Sequence, residues 1–172
     1  MWSTFYALTG ASAATLTGLM FVVVTLVGRR RRRSQATTDG VSTFSTPTVV
    51  HFGSALLVSI IMCAPWPSIA GAATLISIFG LGGLAHMLWV LNHAKRLTEY
   101  EPDVEDWAWY TIVPIVAYAT VFAGGIAVFA SSTGMFVVAA AVALLIFMGI
   151  RNSWDVVTYI AISDYTEPPD TD

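Results

Sequence analysis

Charged side chains are scarce in this chain of 172 residues, which has eight basic and eleven acidic residues against 56% apolar ones. Charged residues make up about a quarter of a typical soluble domain but only 11% of this chain. The composition therefore excludes an ordinary soluble domain and predicts an all-α integral membrane protein. Cysteine is scarcer still, because Cys63 is the only one, so an internal disulfide is excluded and Cys63 is interpreted as a small apolar filler.

The common motifs of catalytic and cofactor sites are also missing. The sequence contains no G-x-S-x-G, no H-E-x-x-H, no C-x-x-C-H and no glycine-rich phosphate loop. We therefore expect no enzyme activity and predict no cofactor. Haem or a metal held between His51 and His86 is disfavoured, because no motif fixes the spacing of the ligands.

Five apolar segments are present, each about long enough to cross a hydrocarbon core ~30 Å thick. The predicted transmembrane spans are residues 2–28, 47–64, 69–94, 107–130 and 135–155. Thr46 and Pro47 favour the start of the second helix, and Pro114 favours a kink in the fourth. The last helix is expected to extend into the cytoplasm, so that residues 1–165 form one helical membrane domain and 166–172 an acidic tail.

The orientation is predicted from an arginine run that directly follows the first apolar segment. The run consists of Arg29, Arg30, Arg31, Arg32 and Arg33. Because basic residues stay in the cytoplasm, the N-terminus is expected outside and the C-terminus inside. This threading places every charged side chain on the cytoplasmic face of a cell membrane.

The arginine run itself has three interpretations. Its safest role is to set the orientation, and it is also expected to attract anionic lipid headgroups. Pairing with an acidic loop, residues 99–106, is an alternative, although surface ion pairs are individually weak. Nucleic-acid binding is not expected of a cluster that directly follows a membrane span.

Small residues predict where the helices approach one another closely, because backbone proximity is a main source of attraction between helices in lipid. Gly10, Ala14 and Gly18 recur at four-residue spacing in the first helix, and Gly124 and Gly125 lie in the fourth. Packing within one chain and a seam between copies both remain open.

A group of polar residues is predicted near the cytoplasmic ends of the spans. Its members are His51, His86, Asn92, His93, Arg151, Asn152 and Asp155. Polar residues inside a membrane often mark functional sites, but interfacial histidine and asparagine also commonly satisfy neighbouring polar groups. A gate for ions or protons and simple structural pairing therefore both remain open, with Asp155 expected to pair with Arg151 one turn before it.

The stretch from Phe5 to Val22, FYALTGASAATLTGLMFV, resembles the first helix of small, largely uncharacterised bacterial multi-pass membrane proteins. The resemblance covers this helix alone. It implies a prokaryotic source and assigns no site residue.

Two functional hypotheses follow from these patterns. The first is a small membrane protein that acts through helix–helix assembly, either as a homo-oligomer or as an accessory subunit of a membrane complex. The alternative is an ion or proton channel or transporter with a polar gate near its cytoplasmic side. The expected partners are the lipid bilayer, and either a second copy or another membrane protein.

Overall fold

The computed structural model describes residues 2–34, 39–94 and 108–166, and the side chains of 2–25, 48–92, 108–155, 157 and 158. The helices in these ranges are α1 (Trp2–Ser34), α2 (Asp39–Cys63), α3 (Ile69–Ala94), α4 (Val113–Ala130) and α5 (Gly134–Thr166), with a short π-helical segment, Ala108–Ile112, directly before α4. The all-α class predicted from the composition is confirmed for the residues described.

Helices α1 and α2 run antiparallel and α1 and α5 run parallel, as side-chain contacts near their ends show. The Tyr6 hydroxyl donates a 3.1 Å hydrogen bond to the Met135 carbonyl, and Cys63 Sγ lies 3.7 Å from the Ser3 carbonyl oxygen. The start of α1, the end of α2 and the start of α5 therefore share one end of the bundle. This end also contains the turns 64–68 and 131–133, and we call it the turn end.

The opposite end of the bundle is the charged end. Within the described backbone, every charged residue lies toward it: Arg29, Arg30, Arg31, Arg32, Arg33, Asp39, Arg151, Asp155 and Asp164. The expected acidic loop, residues 99–106, and the acidic tail after Thr166 lie outside the described residues. Along the described helices the charged residues thus share one end of the bundle, and the side of the membrane on which they lie stays a prediction.

Helix α5 occupies the centre of the bundle. It packs on α4 and α2 and also touches α1, while α1 lies along α2 and α3 lies along α4. The core between these helices is mostly aliphatic. Its fully buried side chains include Val58, Ile76, Val121, Val142 and Leu145.

Four helical stretches are long and apolar enough to cross a membrane: Trp2–Thr25, Ile69–Asn92, Ala108–Ala130 and Gly134–Asp155. They indicate a membrane protein. The apolar helical stretch of α2, Thr48–Cys63, is shorter, so the second of the five expected spans stays a prediction.

Two helices begin or end differently from the prediction. Helix α1 continues to Ser34 through the arginine run, because arginine is a good helix former and no glycine or proline interrupts it after Gly28. Helix α2 begins at Asp39 and not at Thr46 and Pro47. An acidic residue is favourable at the positive end of a helix, and the proline removes one backbone donor without ending the helix.

Candidate functional site

Buried polar side chains follow one face of α2 near the charged end. Thr48, His51 and Ser54 are all buried, and their three-residue spacing places them on one side of the helix. The Ser54 hydroxyl donates to the Val50 carbonyl at 2.7 Å and lies 2.8 Å from the Tyr118 hydroxyl. Because the only proton of Ser54 is used by that carbonyl, Tyr118 is the donor to Ser54 across the α2–α4 interface.

His51 lies beside this hydrogen bond, in the interior of the bundle. Its side chain is 2% exposed, and the centroid of its ring is 6.2 Å from that of Tyr118. Its Nδ1 atom is buried without a hydrogen-bond partner among the described residues. The imidazole thus retains an unused donor or acceptor inside the protein.

Asn152 of α5 is the second buried polar residue without partners. It is 0% exposed, and neither its Oδ1 nor its Nδ2 has a hydrogen-bond partner within the described part of the chain. Gly149, one turn earlier, packs so closely on Phe52 that an added Cβ would collide with the phenyl ring. This contact joins α5 and α2 at the level of His51.

The Gly149–Phe52 contact also fixes the relative depth of His51 and Asn152. With about 1.5 Å of rise per residue, His51 lies about 1.5 Å and Asn152 about 4.5 Å from this contact toward the charged end. The two side chains are therefore at similar depths in the same interior. We call the buried set Thr48, His51, Ser54, Tyr118 and Asn152 the polar layer.

The other residues of the predicted polar cluster lie elsewhere. His86 is exposed on α3 and stacks on Trp89 with ring centroids 6.1 Å apart, and Asn92 is also exposed. The side chain of His93 lies outside the described residues. His51 is buried and His86 is exposed, so the two imidazoles lie in different environments.

Arg151 and Asp155 form the expected ion pair on α5. Both side chains are partly exposed, and the Arg151 guanidinium also lies 4.6 Å from the ring centroid of Trp109. A cation over the face of an indole is attracted by the ring quadrupole. These contacts link α5 to the π-helical segment before α4 at the surface.

The small residues predicted to mediate helix packing fall into two groups. Gly10 faces Ser59 of α2, Gly124 faces Val138 of α5 and Gly125 faces Ser77 of α3. These three glycines allow close packing within the chain. In contrast, Ala14 and Gly18 are exposed on α1, and nothing lies within 4 Å of a Cβ built at Gly18.

Tyr118 and Thr48 were not predicted as members of a site. Tyr118 had a detectable signal, because it lies deep within its span, whereas membrane tyrosines concentrate at the interfaces. A buried tyrosine hydroxyl usually requires a partner. Thr48 precedes His51 by three residues, so the helical period places the two on one face.

Within the described residues, no group of three or more His, Cys, Asp or Glu side chains could hold a metal ion. Comparisons with protein-family models, with curated proteins and with solved structures found no match. The function must therefore be argued from the site and the surfaces themselves.

Proposed function

We propose that this chain is a small multi-pass membrane protein that acts through helix–helix association, with further copies of itself or as an accessory subunit of a membrane complex. The observation that carries the proposal is the exposed face of α1, where Ala11, Ala14, Thr15 and Gly18 follow one another at helical spacing. Small residues let a second backbone approach closely, which is a main source of attraction between helices in lipid.

The hydroxyl on this face needs no external partner. Thr15 donates to the Ala11 carbonyl of its own helix at 2.9 Å. The face is therefore small and flat without an unsatisfied polar group, so a second helix can approach it closely in lipid. We call residues 11, 14, 15 and 18 the small-residue face.

The experiment for this proposal is a bulky substitution on the small-residue face. Gly18→Leu should reduce the mass of an oligomer in nanodiscs, because the leucine occupies the space in which a second helix would lie. Gly82→Leu is the matched control, since Gly82 is exposed on α3 with nothing within 4 Å of its Cβ position. Gly10→Leu is a poor probe, because Gly10 packs on Ser59 within the chain.

The accessory-subunit form is tested with a photo-crosslinking side chain at Ala14 in native membranes. Crosslinks to one defined membrane protein support association with a partner, and crosslinks between copies support a homo-oligomer. A monomeric wild type in nanodiscs, with crosslinks to lipid alone, would contradict the proposal.

A second candidate, an ion or proton channel, is favoured by the polar layer. His51 contributes to it a buried ring whose Nδ1 atom has no partner among the described residues, and ionisable side chains within a membrane often mark ion or proton pathways. Proton flux into liposomes should then fall in His51→Phe and persist in His86→Phe, which changes an exposed histidine in the same way. Equal flux in wild type, both variants and empty liposomes would remove this candidate.

A further inference from the structure

The unpartnered buried polar atoms of the described residues belong to two side chains only. They are His51 Nδ1, Asn152 Oδ1 and Asn152 Nδ2. A buried polar group without a partner costs about 1–3 kcal/mol. These three atoms lie at similar depth in the same bundle interior. A single bound molecule that bonds all three accounts for them better than three independent unsatisfied groups.

We propose that the polar layer binds a small neutral guest between His51 and Asn152, a molecule that both donates and accepts hydrogen bonds, of which water is the smallest. The close contact between Gly149 and Phe52 holds α5 and α2 together at this level. One guest between the two helices would then bridge a depth difference of about 3 Å between the two side chains. A buried water typically makes about three hydrogen bonds, which equals the number of unpartnered atoms.

The chemistry of the layer favours a neutral guest over an ion. Asparagine offers two donors and an acceptor, and a neutral imidazole offers one of each. A cation would lack a carboxylate ligand in this layer, and it would lie close to Arg151, the chain neighbour of Asn152. An anion would also lack a free cationic partner, because Arg151 is paired with Asp155, and an unpaired charge is strongly unfavourable in an apolar interior.

The site has polar neighbours on one side only. Toward the turn end, the buried side chains of α2 and α5 nearest to it are apolar, among them Ala55, Val58 and Leu145. The Ser54 hydroxyl is already engaged by the Val50 carbonyl and Tyr118. Apolar side chains therefore bound the guest site toward the turn end. It does not depend on association through α1.

The test uses full-length protein in lipid bilayers with ¹⁵N-labelled histidine. His86→Gln and His93→Gln leave His51 as the only imidazole in the chain. Magnetisation transfer between the ring nitrogens of His51 and a bound guest should then appear in solid-state NMR spectra. A transfer at the water frequency identifies water, while transfer to carbon-bound protons, together with an added mass in native mass spectrometry, identifies a larger neutral solute.

Asn152→Leu should abolish this transfer, because it removes two of the three groups that hold the guest. Asn92→Leu makes the same change at an exposed position of α3 and should leave the signal intact. Detergent gel filtration and circular dichroism check that both variants fold. If the His86→Gln, His93→Gln protein, which retains Asn152, shows no transfer to His51, the proposal is overturned. A transfer signal that persists in a folded Asn152→Leu variant overturns it as well.

Discussion

Single glycines decide how closely α3 approaches α4. A Cβ at Gly80 would collide with the backbone of Phe122, and one at Gly83 would collide with the ring of Tyr118. At Gly82, in contrast, nothing lies within 4 Å. The same substitution of glycine by alanine can therefore be made on α3 at a tightly packed position, Gly80, and at an open one, Gly82.

We predict that Gly80→Ala destabilises the protein by about 1–3 kcal/mol, the usual range for overpacking a tight contact. The backbone of Phe122 cannot move aside as a flexible side chain can. Gly82→Ala should leave the free energy of unfolding unchanged or raise it slightly, because alanine is the better helix former. The measurement is reversible unfolding in mixed micelles, and similar losses for the two variants would contradict the contact.

The hydrogen bond between Tyr118 and Ser54 also makes a prediction at a single residue. Tyr118→Phe removes the donor but leaves Ser54 bonded to the Val50 carbonyl. The loss should therefore be small, and the coupling between Tyr118→Phe and Ser54→Ala in a double-mutant cycle should be about 0.6 kcal/mol, typical of such bonds in membranes. Thr120→Val is the control, since the Thr120 hydroxyl donates to the Val116 carbonyl of its own helix at 2.7 Å. Additive effects of the two substitutions would mean that the bond contributes nothing.

Among the elements, the start of α4 links a local backbone distortion to a surface contact. Pro114 lies in the first turn of α4, immediately after the π-helical segment. Proline lacks the amide proton that a continuous α-helix requires, and π-helical turns occur where the regular ladder is interrupted. Trp109, within this π-helical segment, lies against Arg151.

Pro114→Ala restores the amide donor and should convert this turn to a regular α-helix. Trp109 would then rotate away from Arg151, because the change from π-helical to α-helical winding alters the direction of every residue before the proline. The expected readout is a shift of the Arg151 side-chain Nε signal in NMR spectra, in the same direction as in Trp109→Leu. An unshifted signal in Pro114→Ala, with a clear shift in Trp109→Leu, would show that the proline does not position the ring.

The helices were largely predictable because apolar runs bounded by polar or proline-containing segments are strong signals. Their exact bounds were less so. The Thr46–Pro47 pair is a favourable helix start in isolation, yet α2 begins at Asp39, since a single missing donor is a local penalty that a longer helix can accommodate. Residue composition fixes where a helix exists more firmly than where it starts.

At the scale of the whole molecule, the sequence allows a prediction of how deep a side chain lies in the bundle but not of the direction in which it points. His51 and His86 were expected at similar depth, and only His51 is buried. Depth follows from counting residues along a helix, whereas direction depends on which face packs. Gly83 packs closely on Tyr118 of α4, yet His86, three residues later, is exposed. Long-range contacts of this kind are not encoded in local periodicity.

The charge partition makes a prediction about the whole molecule in its membrane. Cys63 is exposed at the turn end, and Ser34 ends α1 at the charged end. If basic residues stay cytoplasmic, a membrane-impermeant maleimide should label Cys63 in intact cells.

Ser34→Cys combined with Cys63→Ser supplies the matched probe at the other end. It should be labelled only after the membrane is opened, because the arginine run beside it is expected to keep this end in the cytoplasm. Replacing the five arginines of the run with glutamine should reduce the difference in labelling between the two probes in intact cells, because fewer basic residues then favour a cytoplasmic location for this end. Labelling of the Ser34→Cys probe alone in intact cells would reverse the predicted orientation, and with it the predicted cytoplasmic position of the polar layer. Labelling of both probes would contradict a single fixed orientation.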